Sequence, residues 1–423
     1  MIKLRGKLYP LAPWAAGVLI ALMGTPAGAV DLKTADGAWT FSIDGNVNVH
    51  YIYSKCEDSN PPIANGGLAC VGTASGSSVS NIGNGLLPAA FTFAVATTQG
   101  GYDLSAHLGL FPGIATNNGG SPNLQGNPAP TNTALGTTGL DVRQVYLTFG
   151  NKDIGTFLFG RNFGLFGFDA IINDMTLPGV GGAGSASGPA PANTTLGSIG
   201  LGYIYVDTLA QMDYTTPDFS GANFTIGIFD PITALAGGAG TPAGKKAPGF
   251  HGKVAWTMPI NSTTKFYGSA TFITQKQNFD TGPTTSYSYN GTGFDVFAKI
   301  DVQDFEAFAY YYHGSGLGTT GLFIRSADDT GDTRDSDGFL VQATYKVGQV
   351  KFGVNYGESK LDLADAGDSP TLVSKNRKVT GGVYDSLTKN LTLLAEVTDV
   401  KADAHNGNSN KSINFNVGAF LSF

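Results

Sequence analysis

Few residues in this sequence are placed for covalent chemistry. No G-x-S-x-G, no H-E-x-x-H and no cysteine–histidine pairing occurs, and the histidines are scattered at His50, His107, His251, His313 and His405. "GVGGAG" at residues 179–184 has the outline of a phosphate loop but lacks the strand before it and the helix after it that such a loop requires. A catalytic role is therefore not expected. The run "ADDTGDTRDSDG" (327–338) gathers Asp328, Asp329, Asp332, Asp335 and Asp337, oxygen ligands of the kind calcium takes. The EF-hand spacing fails, because Thr333 holds the first liganding position and no Glu closes the loop. No cofactor is expected, with calcium at Asp328–Asp337 as the alternative to a solvated loop. Cys56 and Cys70 are expected to form a disulfide in an oxidising, exported setting. Such a bridge stabilises its loop by about 3 kcal/mol in the chain-entropy picture, and a metal site lacks further ligands nearby.

The remaining chemistry is electrostatic. In "VRQVYLTFGNKDIGTFLFGRN", Val145, Leu147, Phe149, Phe157 and Phe159 are read as outward-facing. Arg143 and Arg161 are read as inward-facing, on two strands joined by a tight turn. The stretch 163–205 that follows carries Asp169 and Asp174 and then dissolves into Gly, Ala, Ser and Pro. A structureless connection this long is usually functional or disordered. Folded back between the strands, it would set acid opposite base across a narrow waist. In a poorly screened space, charges several ångströms apart interact by roughly a few kcal/mol. That suffices to orient polar solutes and sort ions.

Such a waist needs elements around it, and the pattern supplies strands. In "FSIDGNVNVHYIY", Phe41, Ile43, Val47, Val49, Tyr51 and Tyr53 alternate with Ser42, Asp44, Asn46, Asn48 and His50. Side chains alternate across a strand, so one face is apolar and the other polar. Sixteen segments of this kind run from residue 39 to Phe423, with short turns and long links in alternation. That is the layout of an outer-membrane barrel, in which the short turns are periplasmic. Sixteen strands closed on themselves leave an aqueous channel. The fold expected is all-β, a 16-stranded antiparallel transmembrane barrel over 30–423, with 163–205 folded inward as a constriction loop.

Bulk numbers agree. The chain has 423 residues, 60 of them Gly, and 13% charged residues, about half the usual share. Lys3, Arg5 and Lys7 precede an apolar run from Trp14 to Met23 and the small residues Ala27-Gly28-Ala29, the outline of a cleaved secretory signal over 1–29. The run falls short of the roughly 20 residues a membrane helix needs. The net charge of −7 and the lack of a basic patch argue against a nucleic-acid partner.

The segment "VRQVYLTFGNKDIGTFLFGRNFG" and the run Asp169-Ala170, Asp174-Met175, Leu177-Pro178, Gly181-Gly182 resemble the Gram-negative general diffusion porins, as does the terminal Phe423. The specific likeness covers about forty residues. It implies a homotrimer in the outer membrane, among lipid and lipopolysaccharide, assembled by machinery that reads Phe423. It also implies passive diffusion of ions and small hydrophilic solutes, with Arg143 and Arg161 on a basic wall and Asp174 on an acidic loop. Gly179 departs from the pattern, because enteric members carry Glu after the Pro; a wider or less charged waist is expected. A solute-specific channel and a barrel-anchored adhesion or assembly protein are the alternative functions.

Overall fold

The computed structural model describes residues 29–58, 66–70, 78–114, 140–183, 193–233, 241–280 and 286–423. The leader expected over 1–29 lies outside these, apart from Ala29. Among the described residues no helix is long and apolar enough to cross a membrane.

The chain crosses with strands instead. They are β1 (Trp39–Asp58), β2 (Ala90–Gln99), β3 (Tyr102–Pro112), β4 (Leu140–Asn151), β5 (Gly155–Phe163), β6 (Thr208–Thr215), β7 (Ala222–Phe229) and β8 (Gly249–Asn261). The second half comprises β9 (Thr264–Asp280), β10 (Ser286–Val302), β11 (Phe305–Ser315), β12 (Asp335–Val347), β13 (Val350–Leu361), β14 (Val373–Ser386), β15 (Leu391–Ala404) and β16 (Ser409–Ser422). Each pairs antiparallel with its sequence neighbour. β16 returns to β1 through the ladder from Ser422↔Asn46 to Lys411↔Asp58, so the sheet closes with sixteen strands. Closure removes sheet edges and satisfies the backbone without water. Val30–Lys33 pairs with Thr40–Ile43 of β1, on the line that β16 leaves at Phe423.

The alternation read from the sequence holds within the membrane slab. Val47, Val49, Tyr51, Val145, Leu147, Met212, Phe272, Val354 and Val417 are exposed on the outer wall. Trp39, Tyr102, Phe305, Tyr345 and Phe352 lie beside short turns, where an aromatic girdle belongs. Several strands run longer than expected. β1 reaches Asp58, β12 begins at Asp335 and β14 at Val373. Beyond the apolar band the outward positions are charged: Lys360 pairs with Asp337 and Glu358, and Lys411 with Glu57 and Asp399. Outward residues that meet water or headgroups no longer read as apolar, so the pattern ends before the strand does.

The inward face is less uniformly polar than expected. Tyr289, Phe297, Phe308, Tyr310, Tyr312, Tyr384 and Phe420 point inward and are buried. They pack in one cluster with Phe166, Ile171, Leu177, Leu201, Tyr203 and Ile204 of the loop after β5. This core sits inside the barrel. The wall stays wet toward the short turns, where inward residues such as Ser42, Asp103, Thr225, Lys265, Glu306 and Lys346 are partly or fully exposed.

Candidate functional site

The loop between β5 and β6 enters the barrel, and paired polar groups fasten it to the wall. It turns at Gly167, a left-handed position with φ 77° suited to glycine, into the short helix α1 (Phe168–Asn173). The Gly167 N–H donates to the Asp295 carboxylate of β10 at 2.7 Å. Asp169, in the first turn of α1, forms an ion pair with Lys253 of β8 at 2.6 Å. It also accepts from Tyr267 and Ser269 of β9 at 3.1 and 2.5 Å. Lys253 takes the lumen-facing parity of β8, between outward Phe250, Val254 and Trp256.

Asp174 is buried where the chain leaves α1. It accepts from Tyr203 and from Asn355 of β13, each at 3.1 Å, and caps its own turn through Thr176. Gln342 of β12 holds the backbone on either side, donating to the Asn173 carbonyl and accepting from the Met175 N–H. The loop tip then meets Glu396 of β15. One carboxylate oxygen accepts from the Val180 and Gly181 N–H groups at 2.8 and 2.9 Å and from Asn416 at 3.0 Å. The other accepts from the Tyr384 hydroxyl at 2.7 Å. Gly181, at φ 56°, allows successive N–H groups to converge in this way. Lys378 of β14 is buried, and the charges of Asp174 and Glu396 both attract its ammonium.

Gly179 now has a physical reason. A Cβ there would overlap the Glu396 carboxylate. The space beside Gly179 is taken by an acid of the wall, whose carboxylate accepts from the tip backbone.

The two arginines part company. Gly109 of β3 pairs with Gln144 and Leu110 with Val142, so Arg143 is the extra residue of a β-bulge. By strict alternation Arg143 shares the outward parity of Val145 and Leu147; the bulge turns it inward. Its guanidinium bonds Asp141 at 3.1 Å and Asn193 of the returning loop at 3.1 Å, and lies 5.4 Å from the Phe111 ring centroid. Arg161 has no such correction. It sits opposite Val145 and Ala210, both exposed on the outer wall, while its neighbour Asn162 bonds Gln144 inside. The inward placement expected for Arg161 is therefore wrong: it shares the parity of Phe157 and Phe159, and no bulge intervenes.

The transverse field expected across the waist is also replaced. Asp169 pairs with Lys253, Arg143 with Asp141, and Asp174 lies against the wall beside Lys378. Asp169 meets its base at the loop–wall seam and Arg143 meets its acid on its own strand, neither across open water. Lys253, Asp295, Glu396, Asp141 and Lys378 escaped the sequence reading as site residues. The inward parity of Lys253, Asp295, Glu396 and Lys378 was legible and that of Asp141 was not, since it depends on the bulge at Arg143; none of their partners was legible.

The other expectations divide similarly. Cys56 and Cys70 are joined in a disulfide, with Cα atoms 4.9 Å apart. The acidic run does not stay together: Asp335 and Asp337 enter β12, and Asp337 faces Lys360. The carboxylates that do converge, within 4.8 Å, are Asp328, Asp332 and Asp365, from two loops.

The Gram-negative porin profile matches residues 15–405, nearly the whole chain. The chain belongs to the Gram-negative porin family. No curated protein matches it in sequence. Among solved structures, this porin is similar to the outer membrane channel DcaP of Acinetobacter baumannii, at 16% identity and a TM-score of 0.63, over 93% of this chain and 99% of that one. It is also similar to Salmonella typhi OmpF in complex with daunomycin, at 13% identity and a TM-score of 0.56, over 93% and 100%. The trimer form of Vibrio cholerae OmpT matches at 14% identity and a TM-score of 0.51, over 91% and 100%. At such identities the likeness bears on the fold, and the family membership makes the protein an outer-membrane channel for passive diffusion of solutes.

Proposed function

We propose that this porin is a general diffusion channel for ions and small hydrophilic solutes, working as a homotrimer. Solutes would pass a waist bordered by Arg143 and by the inward loop. The observation that carries this reading is the loop itself. It lies inside a closed barrel and is fastened to β8, β9, β10, β12, β13 and β15 by charges and hydrogen bonds, while the wall toward the short turns remains polar and wet. A barrel serving only as an anchor has no need of a seated loop below which water persists. The trimer reading draws on the trimer form of the OmpT relative and on the apolar outer wall. The charged outward band beyond that wall suits contact with lipid and lipopolysaccharide headgroups. Phe423, whose backbone exchanges both hydrogen bonds with Gly45, suits recognition by the assembly machinery before the barrel closes.

Planar-bilayer recording of purified protein is the direct test. Stepwise, water-filled openings are expected, and their absence at protein amounts that insert overturns the reading. In a salt gradient, Arg143→Gln should move the reversal potential toward cation preference, whereas Arg161→Gln should leave it in place. A shift in the second variant and not the first would reverse the assignment of the waist. Light scattering of the detergent-solubilised protein should give three chains per particle.

A further inference from the structure

The hairpin "YKVGQVKF" (Tyr345–Phe352) places two lysines face to face. Lys346 of β12 and Lys351 of β13 are direct cross-strand partners. Both have lumen-facing parity. Thr344, the next inward residue on β12, is buried, and Gly353, the next on β13, lies against Met175 of the inward loop. Like charges directly opposite destabilise a sheet, and Glu306, the acid that attracts Lys351, is shared with Lys299. The adjacent Lys299 takes up Asp301 and Glu306 at 3.1 and 3.6 Å. Lys346 and Lys351 form no ion pair among the described residues, although Lys299, Lys346 and Glu306 all act on Lys351 electrostatically. Lys351 is held in place by the Tyr384 ring, 5.3 Å below its ammonium, and Lys346 is exposed to the lumen. An aromatic face steadies a cation without neutralising it. Two ammonium groups on one wall, one steadied by an aromatic ring and one exposed, neither in an ion pair among the described residues, are a receptor for a group with several anionic oxygens.

We infer that Lys346 and Lys351 form an anion-binding site at the short-turn mouth of the channel, taking the carboxylate or phosphate group of a solute in transit. The inference rests on the channel reading, since the lumen is the solute's route to the site. Bound anionic oxygens would relieve the repulsion that the empty hairpin carries, so the site favours multiply charged solutes over chloride.

Broadening of the phosphorus NMR line of inorganic phosphate by the full-length protein in detergent reads the site without any conduction. The wild type should broaden the line. K346Q/K351Q should weaken phosphate binding by about tenfold or more, as expected for losing two charged donors, and K346R/K351R should restore it. Equal broadening by the wild type and K346Q/K351Q overturns the site. Heat stability guards against a folding artefact: K346Q alone should melt higher than the wild type, because it removes a repulsion, and a lower midpoint overturns the argument. In bilayers, K346Q/K351Q should lower the conductance in phosphate relative to that in chloride. If the wild type conducts nothing, the channel reading fails while the phosphate titration still decides the site.

Discussion

At the scale of single residues, the inward loop is held by groups that have little use apart from one another. Glu396 illustrates this. Its carboxylate accepts from two loop amides, one side-chain amide and one phenol, all buried. Glu396→Ala leaves those donors without a partner, at a cost of about 1–3 kcal/mol for each buried group left unsatisfied. The loop tip should loosen, seen as a larger and noisier single-channel conductance together with a lower melting midpoint; a quiet, unchanged channel would count against the seat. The Asp169–Lys253 pair makes a complementary case. Removing either partner strands a buried charge, which costs about 3–5 kcal/mol. Asp169→Asn and Lys253→Gln should each destabilise the protein, and the double variant should cost much less than the sum. Additive effects in that cycle would show that the two do not act on each other.

At the scale of elements, the outer loops are tied together across sequence. Arg334, leading into β12, forms a two-pronged pair with Asp368 of the β13–β14 loop at 2.6 and 2.8 Å, both side chains being nearly buried. The Arg334 guanidinium and the Ala364 and Ser369 amides hold the Asp368 carboxyl down at about 2, against an ordinary value of 3.8. A depressed carboxyl stabilises the fold above its unfolded value and loses that contribution as pH falls through the folded one. The tie should therefore persist at neutral pH and weaken from just below pH 4 to about pH 2. Hydrogen exchange at 361–372 should rise across that window in the wild type. In Asp368→Asn it should already be fast at neutral pH. The Cys56–Cys70 bridge acts at the same scale. It closes a separation of 14 residues at the outer end of β1, and Leu68 and Ala69 beside it pack in the same cluster as the inward loop. Reduction should raise proteolysis near residues 56–70 and leave the conductance as it was, because among the described residues no hydrogen bond of the inward loop passes through it.

At the scale of the whole molecule, closure does what no local element can. The sheet has no free edge, its outer wall is apolar, and its interior is divided between a dry seam and a wet vestibule. The strand count, the alternation and the antiparallel order were legible in the chain, because hydrocarbon on one side and polar surroundings on the other impose a period of two on every strand. The candidate site was legible in part. The cysteine pair and an inward loop carrying Asp169 and Asp174 could be read from residue type and spacing, but not what those carboxylates meet. Arg161 could not be placed correctly, since its inward reading went against the alternation of its own strand, and Arg143 is saved only by a bulge that leaves no mark in composition. Nor could the sequence reveal that Glu396 fills the space beside Gly179 or that Lys253 meets Asp169. Periodicity reports which face a side chain takes on its own strand. Which charges meet depends on the register of strands hundreds of residues apart and on the path of a loop through the lumen, and those are decided when the barrel closes around it.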